Sequence, residues 1–406
     1  MVAGTLSNEV QETFLGNSCQ QSAAEYNNFK IQPIVFFDLN IPTFICTGNI
    51  LVMSTEKEIT IYDIARHLNI SPTTVSRGLK DHPTINVKTR RKIAETAIQL
   101  GYRSNTFASS LRSKRTETLG VIVPRLNSNF MSSVLAGMEN AASREGYNLI
   151  IAQSLEQIEK EKENVLTMFN KRVDGLLVSL AYSTENIRHF DVFFNKKIPV
   201  IFFDRVAPHP HSTSFIIDNY TAAYQVTKHL ISQGRKRIMH LGGNMLLNVY
   251  AERLRGYKQA LHDHQLPFDE KLVITGNLTE ECGTDTATQL LQRKPKDRPD
   301  AIFCANDTSA VYCMITLKAA GIRIPEDIAF AGFNNDSISR VIEPNLTTVN
   351  YPGYNMGQAA VTSLANHLKG ETDIANTNTI VLRSELIIRE SSGKGPSPLP
   401  SKNKSL

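Results

Sequence analysis

The chain has 406 residues, of which 41% are hydrophobic and 20% charged, and its formal net charge is +5. That length accommodates two or three domains, and the composition is that of a globular protein rather than a collagen-like, disordered or membrane-embedded one. Five cysteines (Cys19, Cys46, Cys282, Cys304, Cys313) are scattered without disulfide-framework or metal-ligand spacing, which fits a reducing cytoplasm. Residues 1–52 begin the chain with polar stretches around IQPIVFFDLNIPTFICTGNILVM. Pro33, Asp38, Asn40, Pro42 and Asn49 break that run, so it is not expected to span a membrane, and no secretory-signal pattern precedes it.

From Thr60 the pattern becomes helical. Thr60 is placed to cap a helix whose apolar residues Ile61, Ile64, Ala65 and Leu68 recur at helical spacing. Asn69 and Ile70 form a tight turn, and Ser71 caps a second helix with Pro72 at its first position. This second helix buries Val75 and Leu79 and leaves Thr73, Thr74, Ser76 and Arg77 free. Asn86 caps a third, with Ile93, Ala97, Ile98 and Leu100 expected inward and Gly101 as its stop. Two short helices joined by a tight turn, the second polar and amphipathic, are a helix-turn-helix. Residues 54–115 carry 12 Lys and Arg against 5 Asp and Glu, so the basic excess of the chain is concentrated where phosphates would be neutralised. Arg77 is the best base reader on chemistry, because its guanidinium can bond a guanine edge bidentately. Gly78 lowers helix propensity by roughly 1 kcal/mol, so the end of that helix is expected to be loose.

Asn105 can cap a further short helix, Thr106 to Arg112, in which Ala108 and Leu111 share a face. A helix of about two turns is not stable alone in water. From Thr118 onward short apolar runs alternate with helical patterns, giving about eleven strands. Near-continuous apolar strands in β-α units mean parallel sheets covered on both faces, and eleven strands suit two lobes better than one sheet. In such sheets ligands bind beyond the carboxyl ends of strands, where Ser179, Asp204, Asp307 and Asn334 stand. Asp204 and Asp307 could instead cap helices, and Arg253 could be a surface ion pair. His209 and His211 lack a third metal ligand, and the chain has no GxGxxG after a strand, phosphate loop, GxSxG elbow or HExxH. No cofactor is expected.

The phrases IYDIARHLNISPTTVSRGL, KTRRKIAETAIQLGY and SNTFASSLR resemble the headpiece and hinge of the LacI/GalR family of bacterial transcription regulators, and the resemblance runs through nearly all of residues 56–390. It implies an all-α helix-turn-helix headpiece (54–103), a hinge helix and linker (104–116), and a two-lobed α/β core (117–390) like a periplasmic-binding protein, with two doubly wound parallel sheets. It implies lobes of about 117–217 with 325–347, and 218–324 with 350–390, the chain crossing three times. Residues 391–406 are expected to be a disordered Ser/Pro/Lys-rich tail. Family members commonly begin near Met53, so residues 1–52 are expected to be a disordered extension or to precede the true start of translation.

The same resemblance implies site residues. Pro72, Thr73 and Arg77 occupy base-reading positions, while Tyr62, Thr74, Ser76 and Thr89 occupy phosphate-contact positions. Asn105, Ala108 and Leu111 belong to the hinge that enters the minor groove, with Leu111 as the wedge. Arg253 and Asp307 are the most regular effector contacts, and Phe130 walls the pocket. A carboxylate with a guanidinium suits sugar hydroxyls, since one accepts two hydrogen bonds and the other donates a fork. Asn334 and Asn335 stand where Asp is common, which disfavours a cationic effector and leaves a neutral or anionic sugar open. The implied activity is repression at a pseudo-palindromic operator by a homodimer without a membrane partner, under a sugar or sugar-like effector. The rival is a sugar- or nucleotide-dependent enzyme on a doubly wound fold, which the missing phosphate and dinucleotide motifs disfavour. An effector-free architectural DNA-binding protein is a third reading.

Overall fold

A computed structural model describes residues 59–102 and 115–393. The expectations for residues 1–52, for the hinge residues Asn105, Ala108 and Leu111, and for 394–406 fall outside these described residues. The chain divides into two compact units at Arg103/Ser104.

The first unit holds three helices, α1 (Ile61–Leu68), α2 (Pro72–Leu79) and α3 (Val87–Gln99). The caps read from the sequence are in place. The Asp63 carboxylate accepts from the Thr60 N–H at 2.9 Å and its hydroxyl at 2.7 Å, closing the first turn of α1. Asn69 ends α1 in the left-handed region at φ 53°, which Asn tolerates. The Ser71 hydroxyl accepts the Thr74 N–H, and Asn86 accepts that of Lys88. Ile64, Ala65, Val75, Ile93 and Ala97 form the core. Two expectations are corrected. Ile98 is 81% exposed, because it lies about 140° around the helix from Ile93, and Thr96 fills the inward position instead. Gly78 is no weak helix end. It is buried within α2, and a Cβ there would stand 2.4 Å from the tip of the Ile93 side chain, which would have to turn aside.

The second unit has two sheets. The first runs in the order β11-β5-β4-β3-β1-β2, all pairs parallel. Its strands are β1 (Thr118–Val123), β2 (Asn148–Gln153), β3 (Gly175–Val178), β4 (Val200–Phe203), β5 (Ser212–Ile217) and β11 (Thr379–Leu382). The second is parallel in the order β7-β6-β8-β9, from β6 (Ile238–Gly242), β7 (Val273–Thr275), β8 (Ala301–Cys304) and β9 (Ala329–Ala331). An antiparallel pair, β10 (Thr348–Asn350) and β12 (Glu385–Ile387), carries chain between the lobes. Helices α4 (Asn129–Glu145) and α12 (Gly353–Lys369) pack together on the first sheet. Their axes come close at Gly137 and Gly357, where any Cβ would meet backbone carbonyl oxygen at 2.0 Å. Helices α7 (Asn219–Ser232) and α8 (Asn248–Asp263) pair in the second lobe, as do α9 (Glu280–Gln292) and α10 (Asp307–Ala319).

The expected lobe composition is reversed for the C-terminal segments. Residues 329–331 pair with residues 301–303 in the second sheet, whereas 353–382 returns to the first through α12 and β11. Strand β11 makes a twelfth beyond the eleven expected; it is an edge strand whose residues alternate between exposed and half-buried, with an apolar run of only Ile380, Val381 and Leu382. The tail boundary also moves. Ser391 and Ser392 are fully buried; the Ser391 hydroxyl donates to the Phe330 carbonyl at 2.8 Å, and Ser392 pairs with His229 at 2.8 Å.

Candidate functional site

In the first unit, α2 presents a polar face built by its own cap. Ser71 sits in extended backbone, Pro72 opens the helix, and Val75 is driven inward by the core. That rotation leaves Thr73 and Arg77 exposed one turn apart, with Pro72, Thr74 and Ser76 half-buried beside them. The Thr74 hydroxyl lies 2.8 Å from that of Ser71, so the cap engages it already. Tyr62 on α1 is exposed and Thr89 on α3 is half-buried. An exposed Arg and Thr on the first turns of a short helix can reach base edges, and flanking hydroxyls can reach phosphate oxygens.

In the second unit a cavity of about 430 Å³ opens between the two lobes at the carboxyl ends of their strands. Arg253, from the middle of α8, is only 3% exposed. Its Nε donates to the Asn219 side chain at 2.9 Å and its Nη1 to the Ala305 carbonyl at 2.6 Å. The guanidinium carbon lies 3.6 Å from the centre of the Phe333 ring, a cation–π contact. Asp204, just past β4, accepts from the Tyr351 hydroxyl at 2.9 Å and from Ser179 at 3.3 Å. Burial pushes the Asp204 carboxyl upward, against the pull of Arg205 and Arg253. Phe130 packs against Tyr351 with ring centres 4.3 Å apart and forms part of the cavity wall. The lobes touch directly across the cleft, since Arg205 donates to the Tyr250 hydroxyl at 3.1 Å and the Tyr182 hydroxyl donates to the Gly276 carbonyl at 3.2 Å.

Four of the six expected effector residues, Phe130, Asp204, Arg253 and Asn334, line this cavity. Ser179 and Asp307 do not. Both are fully buried, with Ser179 behind Asp204. Asp307 is spent inside the protein: its carboxylate accepts the Asp336 N–H at 2.8 Å and the Thr348 hydroxyl at 2.6 Å. Sequence reading missed Arg205, Glu156 and Asp336. Arg205 donates to Glu156 at 2.7 Å on the wall, and Asp336 lines the cavity while 8% exposed. The position after a strand could have pointed to Arg205; nothing local marks the other two. The paired His209 stacks on Phe194, a role unrelated to metal.

Comparison with known proteins places both units. Residues 60–105 match the family model described as bacterial regulatory proteins, lacI family. Residues 116–388 match the model described as periplasmic binding proteins and sugar binding domain of LacI family. The chain is 33% identical over 323 residues to catabolite control protein A of Staphylococcus epidermidis, covering 80% of this chain and 96% of that protein. It is 34% identical over 311 residues to the HTH-type transcriptional repressor PurR of Vibrio atlanticus, covering 76% and 92%. Among solved structures, the transcription regulator CcpA of Lactococcus lactis aligns with a TM-score of 0.61 at 32% identity, over 68% of this chain and 99% of that one.

Proposed function

The chain belongs to the LacI family of bacterial regulatory proteins, and from that premise we propose that it is a transcriptional repressor whose grip on operator DNA is set by a small molecule in the cleft. Pro72, Thr73 and Arg77 read base edges, while Tyr62, Thr74, Ser76 and Thr89 hold phosphates. Two copies bind a pseudo-palindromic duplex, and Asn105, Ala108 and Leu111 from each enter the minor groove. The effector is a sugar or sugar derivative, held by Arg253, Asp204, Phe130 and Asn334. Ser179 and Asp307 act from behind, the first by orienting Asp204. The protein acts in the cytoplasm, where the DNA is, and binds without performing chemistry; no described helix is long and apolar enough to cross a membrane.

One observation carries this reading. A chain with an exposed Thr73 and Arg77 on a capped helix also has a cavity of about 430 Å³ walled by a nearly buried arginine. A guanidinium seated over an aromatic ring and bonded to two fixed acceptors is pre-oriented to donate its remaining hydrogens to hydroxyls. DNase footprinting with and without candidate sugars tests it. The expected result is a two-fold symmetric protected site whose occupancy changes with one sugar. Protection without sequence preference, or indifference to every small molecule, would contradict it.

A further inference from the structure

The loop after β9 is turned by two consecutive left-handed residues, Asn334 at φ 111° and Asn335 at φ 58°. Asparagine reaches that region more readily than most residues, and both are fastened to the crossing strand β10. The Asn334 N–H donates to the Val349 carbonyl, the Asn335 N–H to the Thr348 hydroxyl, and the Asn335 side-chain amide to Asn350. Arg389 donates to Asn335 at 2.7 Å. The next residue is Asp336, whose N–H donates to Asp307 at 2.8 Å. The pair of asparagines therefore does not empty this end of the cleft of acid; it moves the carboxyl two positions on.

The charges around the cavity are unevenly satisfied. Of the guanidiniums, Arg205 is taken by Glu156, which Arg125 also approaches at 3.8 Å, and Arg253 stands beside Asp204. That leaves Glu280, Glu281 and Asp336 as further carboxyls on the lining, all from the second lobe. Asp336 has the amide of Asn334 beside it, with the buried Asp307 carboxyl on the other side. Arg389 is committed to Asn335, Ser339 and the Leu346 carbonyl, and Arg340 is exposed at the edge of a neighbouring cavity. With desolvation dominant, the Asp336 carboxyl is pushed up to about 6.

We propose that Asp336 is a second carboxyl, beside Asp204, that meets the effector, and that it selects an uncharged or amino-bearing polyhydroxyl compound over its phosphorylated counterpart. The inference rests on the effector-cleft reading above. A carboxylate accepts from two hydroxyls or from an ammonium, and Arg253 donates to the hydroxyl oxygens opposite. A phosphate dianion in the same space would meet five lining carboxyls, Glu156, Asp204, Glu280, Glu281 and Asp336, against three guanidiniums, Arg125, Arg205 and Arg253. This narrows the sequence reading, which left an anionic sugar open and disfavoured a cationic one.

Calorimetric titration of the full chain at pH 7.5 tests it, using glucose, ribose, cellobiose, glucosamine, glucose 6-phosphate, ribose 5-phosphate and adenine. The expected result is at least tenfold tighter binding of a neutral or amino sugar than of the phosphate. Asp336→Asn should move that ratio toward the sugar phosphate by tenfold or more, a relative gain that a misfolded variant cannot produce. Preference for a sugar phosphate by the wild-type chain, or a ratio unchanged in Asp336→Asn, overturns the proposal. Binding of adenine with no saccharide bound overturns the polyol class while leaving the effector cleft intact. Silence toward the whole set overturns the effector reading and this proposal with it.

Discussion

In the headpiece, the side chains assigned to DNA stand outside a core of five buried residues, Ile64, Ala65, Val75, Ile93 and Ala97. In the cleft, the side chains assigned to the effector are themselves buried: Arg253, Asp204 and Phe130 are each packed and, for the first two, hydrogen-bonded into the lobes that hold them. The difference separates binding from folding in one region and fuses them in the other. A reader of DNA must meet a rigid external surface, so its reading groups are free to change without disturbing the fold. A small molecule must be stripped of water to be recognised, so its recognition groups double as structure.

The largest expected effect on folding follows at Arg253. Arg253→Ala strands the Ala305 carbonyl and the Asn219 side chain and removes the cation from the Phe333 ring. It should lower the stability of the core by roughly 3 kcal/mol, the order found when one partner of a buried charged contact is removed, and abolish effector binding. Urea unfolding and titration on the same preparation check both. A variant that loses the effector at unchanged stability would break the comparison from the cleft side.

Gly78→Ala comes next. Propensity alone would stabilise α2 by roughly 1 kcal/mol, but the new methyl would stand 2.4 Å from Ile93. Overpacking of this kind costs roughly 1–3 kcal/mol, so the headpiece should melt earlier while the core transition stays put. Stabilisation of the headpiece would show that the helices do not meet this closely.

The pH response is smaller. Asp336 holds its proton more tightly folded, at about 6, than at its ordinary value of 3.8. Since the folded value is raised, the buried group costs nothing below pH 4; the penalty grows as pH rises toward 6 and is complete above it. Going from pH 7.5 to 5 should therefore stabilise the core relative to Asp336→Asn, by at most about 2 kcal/mol. Parallel stability profiles of the two proteins would contradict this. Smallest of all, Arg77→Ala should change headpiece stability by under roughly 0.5 kcal/mol. It should still lower operator affinity by roughly 1–3 kcal/mol and relax preference at one base pair per half-site. Calorimetry beside a competition assay with mutated operators reads both.

The same contrast explains what could be read from the chain. Headpiece structure is local: Thr60, Ser71 and Asn86 cap helices within three residues of themselves, and Asn69 turns the chain in place. Ile98 was misjudged because it is flanked by inward residues in sequence yet lies off their face. In the core, local signals gave the β-α alternation and the strand ends where Asp204 and Asn334 line the cavity. Partition into lobes depends on pairings such as Thr379–Leu382 with Ser214–Ile217, across more than 160 residues, and no local pattern encodes those. Asp307 was legible as a polar residue near a strand end. Its burial was not, because Thr348 and Asp336, which occupy its oxygens, come from 41 and 29 residues away.

The central claim is that one molecule in the cleft and one duplex on the headpiece are energetically linked. Linkage is reciprocal, so the direct measurement is the affinity of the bound sugar for the full chain with and without saturating operator duplex. The account predicts a shift of roughly 5- to 150-fold, equal to the factor by which the sugar changes operator affinity; operator binding by Arg253→Ala, which takes up no sugar, should not respond to it. Equal sugar affinity in the two conditions would contradict it.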